Sequence, residues 1–298
     1  MNAQTAIIEI LSAMTTASSL FIIAAGLTLV FGALRIINLA HGSFYMIGAL
    51  LMATLLGTSH HALFWPALLL APIAVAALGA LSEVVLLRRI YHRDHLVQLL
   101  ATYALFLIFS DLSLRLWGTD SRTVAAPAIL LGNILLHGAN FPIYDIFVIV
   151  VAVGVGIVLW LLLQWTMLGW QIRAAVEDPE SLAAIGTNVP LLFTLVFTLG
   201  AFLSGLGGAV VAPLQAVGPG MDQSVIVSAF IVTVIGGLGS IAGAALGAVV
   251  IGLFQAMGIL WLPTWAPAFI FLGMILVLVI RPAGLLGTVG SAYFGQND

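Results

Sequence analysis

The sequence predicts an all-α polytopic membrane protein, and three observations of composition support this fold class. Of the 298 residues, 62% are hydrophobic and only 6% are charged, and the mean hydropathy is +1.23, whereas soluble domains carry about 25% charged residues. A soluble fold of this size could not bury so much apolar surface. The 31 glycines fit the same class, because small residues let membrane helices approach one another closely.

Nine apolar segments follow one another along the chain, and a transmembrane helix needs roughly 20 such residues. The second and seventh are short, so each is either a full crossing or a re-entrant half-helix, which predicts about eight or nine transmembrane or partly re-entrant helices. No loop is long enough to fold alone, and we therefore expect residues 1–298 to form a single transmembrane domain. The predicted segments are 7–31, 42–57, 65–87, 97–117, 144–165, 191–213, 223–238, 244–261 and 267–280.

The arginines predict the orientation of the chain. All eight basic residues are arginines, and nine crossings place six of them on one side and one or two on the other. The positive-inside rule makes the richer side cytoplasmic and puts both the N-terminus and residues 118–143 outside, whereas eight crossings would move the N-terminus inside. The six predicted to be cytoplasmic are Arg35, Arg88, Arg89, Arg93, Arg173 and Arg281.

Composition also excludes several classes of function. The chain has no lysine, and P-loop ATPases bind phosphates with a lysine, so any ATP must be bound by another chain. It has no cysteine, which excludes disulfides and thiolate metal sites; we predict no metal or cofactor in this chain. A net charge of −3 is too weak to indicate nucleic-acid binding. Residues 1–19 lack the basic region of a cleaved signal peptide, so the first apolar segment is predicted to be retained.

The first informative segment, Arg35 to Gly48, places polar residues and glycines between two apolar stretches. Unsatisfied polar groups are expensive in such a setting, and glycine allows irregular backbone. One interpretation is a discontinuous helix that faces a solute path. The other is a polar cytoplasmic turn in which Asn38 caps the following helix. The candidate pathway residues here are Asn38, His41, Gly42 and Ser43.

The second segment, Gly169 to Gly186, is the most polar stretch predicted to be cytoplasmic. Asp178 followed by Pro179 predicts the start of a short helix that ends at Gly186, after another short helix. Such a helical bend suits docking onto a soluble partner, and the alternative is a solvated loop without a partner. The candidate docking residues are Arg173, Glu177, Asp178, Glu180 and Gly186.

The third segment, Gly236 to Gly247, carries a glycine at every fourth position from Gly239 onward. This spacing predicts a helix-packing seam. The other interpretation is a helix broken between Gly236 and Ser240, with a free N-terminus aimed at an anionic group. Three expectations concern ionisable residues elsewhere in the chain. Asp111 and Arg115 are spaced to pair on one helix face, and Glu83 is expected near the cytoplasmic interface beside Arg88. Residues near predicted helix ends, such as Asp222, are expected to be interfacial.

Four motifs in order resemble the branched-chain amino-acid ABC permease family, which also includes urea and short-amide importers. They are Gly26–Gly42 with Met46–Gly48, then Leu100–Leu105, Gly169–Gly186 and Arg281–Gly287, and the resemblance covers nearly the whole chain. Many relatives carry an acidic residue where this chain has Ser43, and two hydroxyl residues where it has Ala101 and Thr102.

The resemblance implies a permease subunit in the bacterial inner membrane, with partners that supply the other activities. These are a second permease, two cytoplasmic ATPases that use ATP, and a periplasmic solute-binding protein. The second permease is either a homologous subunit or another copy of this chain. Membrane lipid surrounds the complex. The stretch corresponding to residues 166–190, the coupling segment, engages the ATPase in the family. The full set of candidate pathway residues is Asn38, His41, Gly42, Ser43, Thr102, Gly236, Gly237 and Gly239.

Two rival functions are left open by the residues themselves. A secondary transporter driven by an ion gradient would need protonatable groups deep in the spans, for which Asp111 and Glu83 are the candidates. An intramembrane hydrolase would need a serine and a histidine, and the sequence around His41 offers Ser43, with Ser204 as another nucleophile. Neither serine has the surrounding pattern of a known catalytic site, and an ion-coupled transporter would leave the cytoplasmic helical bend without a purpose.

Overall fold

Eleven α-helices make up most of the computed structural model, which describes residues 3–57, 63–91, 93–136 and 139–287. A two-stranded antiparallel hairpin in the predicted external loop is formed by β1 (Asn133–Leu136) and β2 (Ala139–Pro142). The helices are α1 (Ala3–Leu34), α2 (His41–Leu56), α3 (Phe64–Val85), α4 (His95–Trp117), α5 (Ile143–Trp165), α6 (Met167–Glu177), α7 (Pro179–Ala184), α8 (Val189–Val211), α9 (Met221–Gly236), α10 (Ile241–Trp261) and α11 (Ala266–Ile280). The predicted all-α fold class is confirmed.

Helix length separates two kinds of crossing. In the described part of the chain, seven helices are long and apolar enough to span a membrane: α1, α3, α4, α5, α8, α10 and α11, the last with the turn before it. The helices α2 and α9 have 16 residues each, which gives a length of about 24 Å. This is less than the roughly 30 Å of a hydrocarbon core, so the prediction that the second and seventh segments are short is confirmed.

The arginine-rich ends of several helices meet on one side of the molecule, here called the arginine-rich side. Arg35 at the end of α1 donates a hydrogen bond to the Val176 carbonyl in α6 (3.4 Å). Arg88, after α3, contacts Thr194 at the start of α8. At the other end of the helices, the Trp117 indole donates to the Thr54 hydroxyl (2.7 Å). The helices therefore have the polarity that nine crossings require.

The packing of the helices relates two halves of the chain. The contacts match if α1, α2, α3 and α4 correspond to α8, α9, α10 and α11. The pair α1–α10 then matches α8–α3, and the pair α2–α3 matches α9–α10. The weaker contact α2–α4 matches α9–α11. Helices α1 and α8 are antiparallel, because Ile22 lies beside Gly207 while Val30 lies beside Gly200. Thus α1–α4 and α8–α11 form inverted halves, although the sequence contains no convincing internal repeat.

The chain between α1 and α2 turns back into the protein interior. The Thr102 hydroxyl donates to the Ile37 carbonyl (3.0 Å), and His41 Nε2 lies 3.1 Å from the Ile23 carbonyl. Ile23 is about 16 Å along α1 from its Leu34 end, at 1.5 Å per residue. Residues 35–40 thus complete the crossing that α2 is too short to make alone.

The chain before α9 makes the matching excursion from the opposite side. Gln215 donates to the Tyr45 hydroxyl in α2 (3.2 Å), and Ser110 donates to the Asp222 carboxylate in the first turn of α9 (2.5 Å). Ser110 is about 22 Å along α4 from its His95 end. Helix α9 therefore begins in the interior and ends on the arginine-rich side. Helix α2 also begins in the interior but ends on the opposite side.

The C-terminal motif, which begins at Arg281, seals the end of α9. The main-chain N–H groups of Leu285 and Leu286 donate to the carbonyls of Ile235 (2.7 Å) and Gly236 (3.0 Å). The last carbonyls of a helix have no partner inside it, so these bonds satisfy groups that a broken helix would otherwise leave open.

Candidate functional site

The first turns of α2 and α9 cross in the interior of the protein. A side chain at Gly42 would meet the Asp222 carbonyl oxygen at 2.5 Å and the Ile226 side chain at 2.8 Å, so only glycine fits this crossing. Helix N-termini carry a partial positive charge. Two of them, from the two inverted halves, therefore face one small region of the interior.

A buried carboxylate lies at this crossing. Asp222 has no exposed surface; its Oδ2 accepts a hydrogen bond from Ser110 (2.5 Å) and lies 3.3 Å from the Ser43 hydroxyl. Its Oδ1 finds no donor among the described residues. The prediction that Asp222 is interfacial is wrong, because the residues before α9 enter the protein instead of following its surface.

Asn38 and His41 lie beside the same crossing and are buried. The Asn38 side-chain oxygen accepts from the Ala40 N–H (3.1 Å), but Ala40 is the N-cap residue of α2, and no side chain caps the helix. The interpretation of a surface turn capped by Asn38 is therefore wrong, and the segment has the geometry of a discontinuous helix. Asn38 Nδ2 and His41 Nδ1 also lack partners within the described residues.

The serines that suggested a hydrolase are engaged in other contacts. The Ser204 hydroxyl donates to the main-chain carbonyl of His41 (2.7 Å), and the Ser43 hydroxyl is directed to Asp222. The His41 ring contacts the Ile23 carbonyl instead of a hydroxyl. Among the described residues, no group of three or more histidines and acidic residues is placed to hold a metal ion.

The glycines around residue 236 form a second break at the arginine-rich side. Helix α9 ends at Gly236, and Gly237 has a left-handed φ of +101°. Gly239 precedes α10, so the prediction that it shares a helix face with the later glycines is wrong; it lies against Gly32 of α1. Gly243 packs against Gly236, which confirms the packing seam at Gly243. The helix break predicted between Gly236 and Ser240 is also confirmed.

The predicted pathway residues therefore fall into two groups. Asn38, His41, Gly42 and Ser43 gather at the helix crossing, whereas Gly236, Gly237 and Gly239 lie at the arginine-rich side. Thr102 is buried and ties α4 to the backbone between α1 and α2. Sequence reasoning did not identify Asp222 or Ser110, because neither stands in a recognisable motif.

The structure also contains a polar groove that was not predicted from the sequence. A cavity of about 370 Å³ lies beside Tyr45, bordered by α1 and α8–α11. Hydroxyl and amide side chains on several helices line it, in contrast to the apolar residues that dominate the exposed helix faces. The sequence signal for this groove is the spacing of Ser224 and Ser228, which places both on one face of α9. The polar lining residues are Thr15, Thr16, Ser19, Gln215, Ser224, Ser228 and Gln255.

The coupling segment folds as its capping signals predict. Asp178 accepts hydrogen bonds from the N–H groups of Glu180 and Ser181 (3.0 Å each), with Pro179 in the first turn of α7. The hydrogen bonds from the Ser181 side chain and backbone, with a smaller contribution from the Glu180 N–H, lower the pKa of Asp178 below its ordinary value of 3.8. Gly186 ends the helix with a φ of +94°.

The surface of the coupling segment combines acidic and apolar groups. Glu177, Asp178 and Glu180 are exposed, and Ile185 is 80% exposed and Trp170 63% exposed. Acidic and apolar side chains are thus exposed together on two short helices whose ends are capped. This arrangement favours the docking interpretation over a solvated loop.

Arg173 differs from the other candidate docking residues. Its guanidinium donates to the Leu163 carbonyl near the end of α5 and lies 4.8 Å from the centre of the Trp170 ring. A cation at a helix C-terminus is favourable. Arg173 therefore anchors the coupling segment to α5.

A second cavity connects the coupling segment to the helix break. It measures about 360 Å³ and borders Gly32 and Gly239 on one side and Arg173 and Glu177 on the other. The cavity therefore separates α6 from the segment that joins α9 to α10.

The two carboxylates that an ion-coupled transporter was expected to use are both paired. Glu83 is fully buried and accepts hydrogen bonds from Tyr91 (2.7 Å), Thr194 (2.6 Å) and Arg88 (3.4 Å). Its predicted position beside Arg88 is confirmed. Asp111 pairs with Arg115 at 2.7 Å with both side chains exposed, which confirms the predicted pairing along α4.

Comparison with known proteins gives consistent matches over nearly the full chain. A family model described as "Branched-chain amino acid transport system / permease component" matches residues 9–279. The high-affinity branched-chain amino acid transport system permease protein BraD of Pseudomonas aeruginosa is 30% identical over 294 residues, covering 94% of this chain and 95% of that protein. The corresponding LivH protein of Escherichia coli K12 is 28% identical over 293 residues, covering 94% of each. No solved structure matches the chain.

Proposed function

The chain belongs to the family of branched-chain amino acid transport system permease components, and from this premise we propose that it carries branched-chain amino acids across the bacterial inner membrane. It is a multi-pass permease subunit of an ABC importer. Its relatives' names state branched-chain amino acids as the solute. In the proposed complex, ATP is bound and hydrolysed by separate cytoplasmic subunits, a homologous permease pairs with this chain, and a periplasmic binding protein delivers the solute.

The observation that supports this proposal most directly is the exposed coupling segment. Its two short helices are capped and anchored, yet Glu177, Glu180 and Ile185 are exposed. A capped protrusion with an exposed apolar side chain suits a cleft on an ATPase. Motion of α6 would reach the end of α1 through the Arg35 bond to the Val176 carbonyl (3.4 Å). The solute pathway would then follow the polar groove and the crossing of α2 and α9, with ATP binding biasing one state over another.

The test reverses the charge of the coupling segment. We expect the double variant Glu177→Arg and Glu180→Arg to insert into the membrane normally but to lose co-purification with the ATPase and leucine uptake. A matched control is Asp94→Arg, which also reverses an exposed carboxylate on the arginine-rich side and is expected to retain both. Membrane content is measured by quantitative blotting, and bound subunits by mass spectrometry after mild detergent extraction.

Two results would contradict the proposal. One is a double variant that transports leucine as well as Asp94→Arg does. The other is a wild-type chain that takes up solute without any co-purifying ATPase and responds to an imposed ion gradient, which would instead support the ion-coupled rival.

A further inference from the structure

The Asp222 carboxylate is half satisfied in a place where an isolated charge is costly. One oxygen accepts from Ser110 and lies near Ser43, while Oδ1 has no donor among the described residues. A buried carboxylate that keeps its charge needs a cation or further donors. An ionisable residue inside a membrane protein therefore indicates a functional site.

The arginines nearest in the chain to this cluster are committed to other groups. Arg115, on the same helix as Ser110, pairs with Asp111 (2.7 Å). Arg122, which bridges to the segment before α9, donates to the Trp117 carbonyl (3.4 Å). Neither Arg115 nor Arg122 therefore pairs with Asp222 in the described part of the chain. We infer that a ligand supplies the positive group.

Helix α4 covers the carboxylate and is held by few contacts. Most of its surface is exposed, and Ser110 itself is half-buried. Its polar links to the rest of the protein are few. They include the Thr102 bond to the Ile37 carbonyl (3.0 Å), the Ser110 bond to Asp222, the Ser43 hydroxyl 3.5 Å from the Phe106 carbonyl, the Trp117 indole bond to Thr54 (2.7 Å), and the Gln98 bonds to main-chain carbonyls of the turn before α4. A small displacement of α4 would therefore expose Asp222 without disturbing the packing of α1, α3, α8 and α10.

We propose that Asp222, Ser43 and Ser110 bind the ammonium group of the transported amino acid; this inference rests on the proposed function and extends it. An ammonium group has three N–H donors. The free Asp222 oxygen and the lone pairs of the two hydroxyls are three acceptors on one side of the crossing. The positive N-termini of α2 and α9 favour the carboxylate of the same solute. The site thus selects a zwitterion over a neutral solute.

The first test compares Asp222→Asn with Asp111→Asn in the complete importer reconstituted in proteoliposomes. Both changes remove one carboxylate charge, but Asp111 is exposed and paired. We expect Asp222→Asn to lower leucine uptake about tenfold or more, because the charge-assisted hydrogen bond to the ammonium is lost, while ATP hydrolysis stimulated by the binding protein persists. Equal uptake by the two variants would overturn the inference. If the binding protein did not stimulate ATP hydrolysis by the wild-type importer, the proposed function itself would be refuted.

A second measurement keeps the carboxylate and does not depend on the folding of Asp222→Asn. The chain has no cysteine, so Ser110→Cys introduces a single thiol beside Asp222, and its rate of modification by a small methanethiosulfonate is measured in the complex. We expect leucine to slow the modification several-fold and 4-methylpentanoate, which lacks the amino group, to leave it unchanged. Equal protection by both compounds, protection by neither, or protection by Na⁺ alone would overturn an ammonium site.

Discussion

At the scale of single residues, the interior depends on glycines at the points where helices touch. A Cβ at Gly208 would overlap the Tyr45 carbonyl of α2, and one at Gly48 would overlap the Gly205 backbone of α8. Backbone atoms cannot rotate away as a side chain can, so the helices would have to separate. These contacts hold the short α2 against α8, and through it they fix the position of the Asp222 cluster.

We therefore predict that Gly208→Ala destabilises the protein, by about 1–3 kcal/mol for overpacking of this kind. In detergent, the change should lower the midpoint of thermal unfolding measured by intrinsic tryptophan fluorescence. Gly154→Ala is the matched control, because Gly154 is also within a membrane helix but has no atom within 4 Å of its added methyl group. An unfolding midpoint for Gly208→Ala equal to that of Gly154→Ala would contradict the account of α2–α8 packing.

At the scale of elements, local sequence signals predicted where helices end. They did not predict how far the segments between helices enter the protein interior. Capping by Asp178 and the glycine stop at Gly186 are decided by neighbours in sequence, so they could be read from the chain. The inward course of residues 35–40 and 212–220 is decided by partners far away in sequence, such as Thr102 for the first and Tyr45 for the second. For that reason the short helices were predicted, whereas the buried position of Asp222 was not.

The cap of α7 leads to a prediction about pH. Because the folded pKa of Asp178 is lowered, the ionised cap stabilises α7 above the ordinary pKa of 3.8, and this stabilisation is lost as the pH falls through the lowered value. A spin label on Ala183→Cys should therefore keep one mobility from pH 8 to pH 5 and become more mobile only below about pH 3.8. With Asp178→Ala added, we expect the higher mobility at every pH. A mobility change between pH 8 and pH 5 in the capped protein would contradict the role of this carboxylate.

At the scale of the whole molecule, the inverted halves explain why the candidate site lies where it does. Each half contributes one short helix that begins in the interior, and inversion makes the two approach from opposite sides. Sites formed by broken helices at the interface of inverted repeats are a recurring solution for transport. The cluster at Asp222 joins a hydroxyl from α2 and another from α4 in the first half to a carboxylate from α9 in the second. A relative movement of the halves would therefore change the site directly.

The same architecture fixes the side on which the chain begins. With α2 completed by residues 35–40, we predict that α1–α5 make five crossings, which would place Glu9 near the start and Glu180 in the coupling segment on opposite sides. The chain has no cysteine, so single cysteines at these positions can be probed in intact cells with a membrane-impermeant maleimide. We expect Glu9→Cys and the external control Ser121→Cys to react from outside, and Glu180→Cys to react only after the membrane is opened. If α2 were a re-entrant hairpin that returned to its own side, only four crossings would separate Glu9 from Glu180. Glu9→Cys would then be protected together with Glu180→Cys while Ser121→Cys still reacted, and the crossing of the membrane by residues 35–40 and α2 would be wrong.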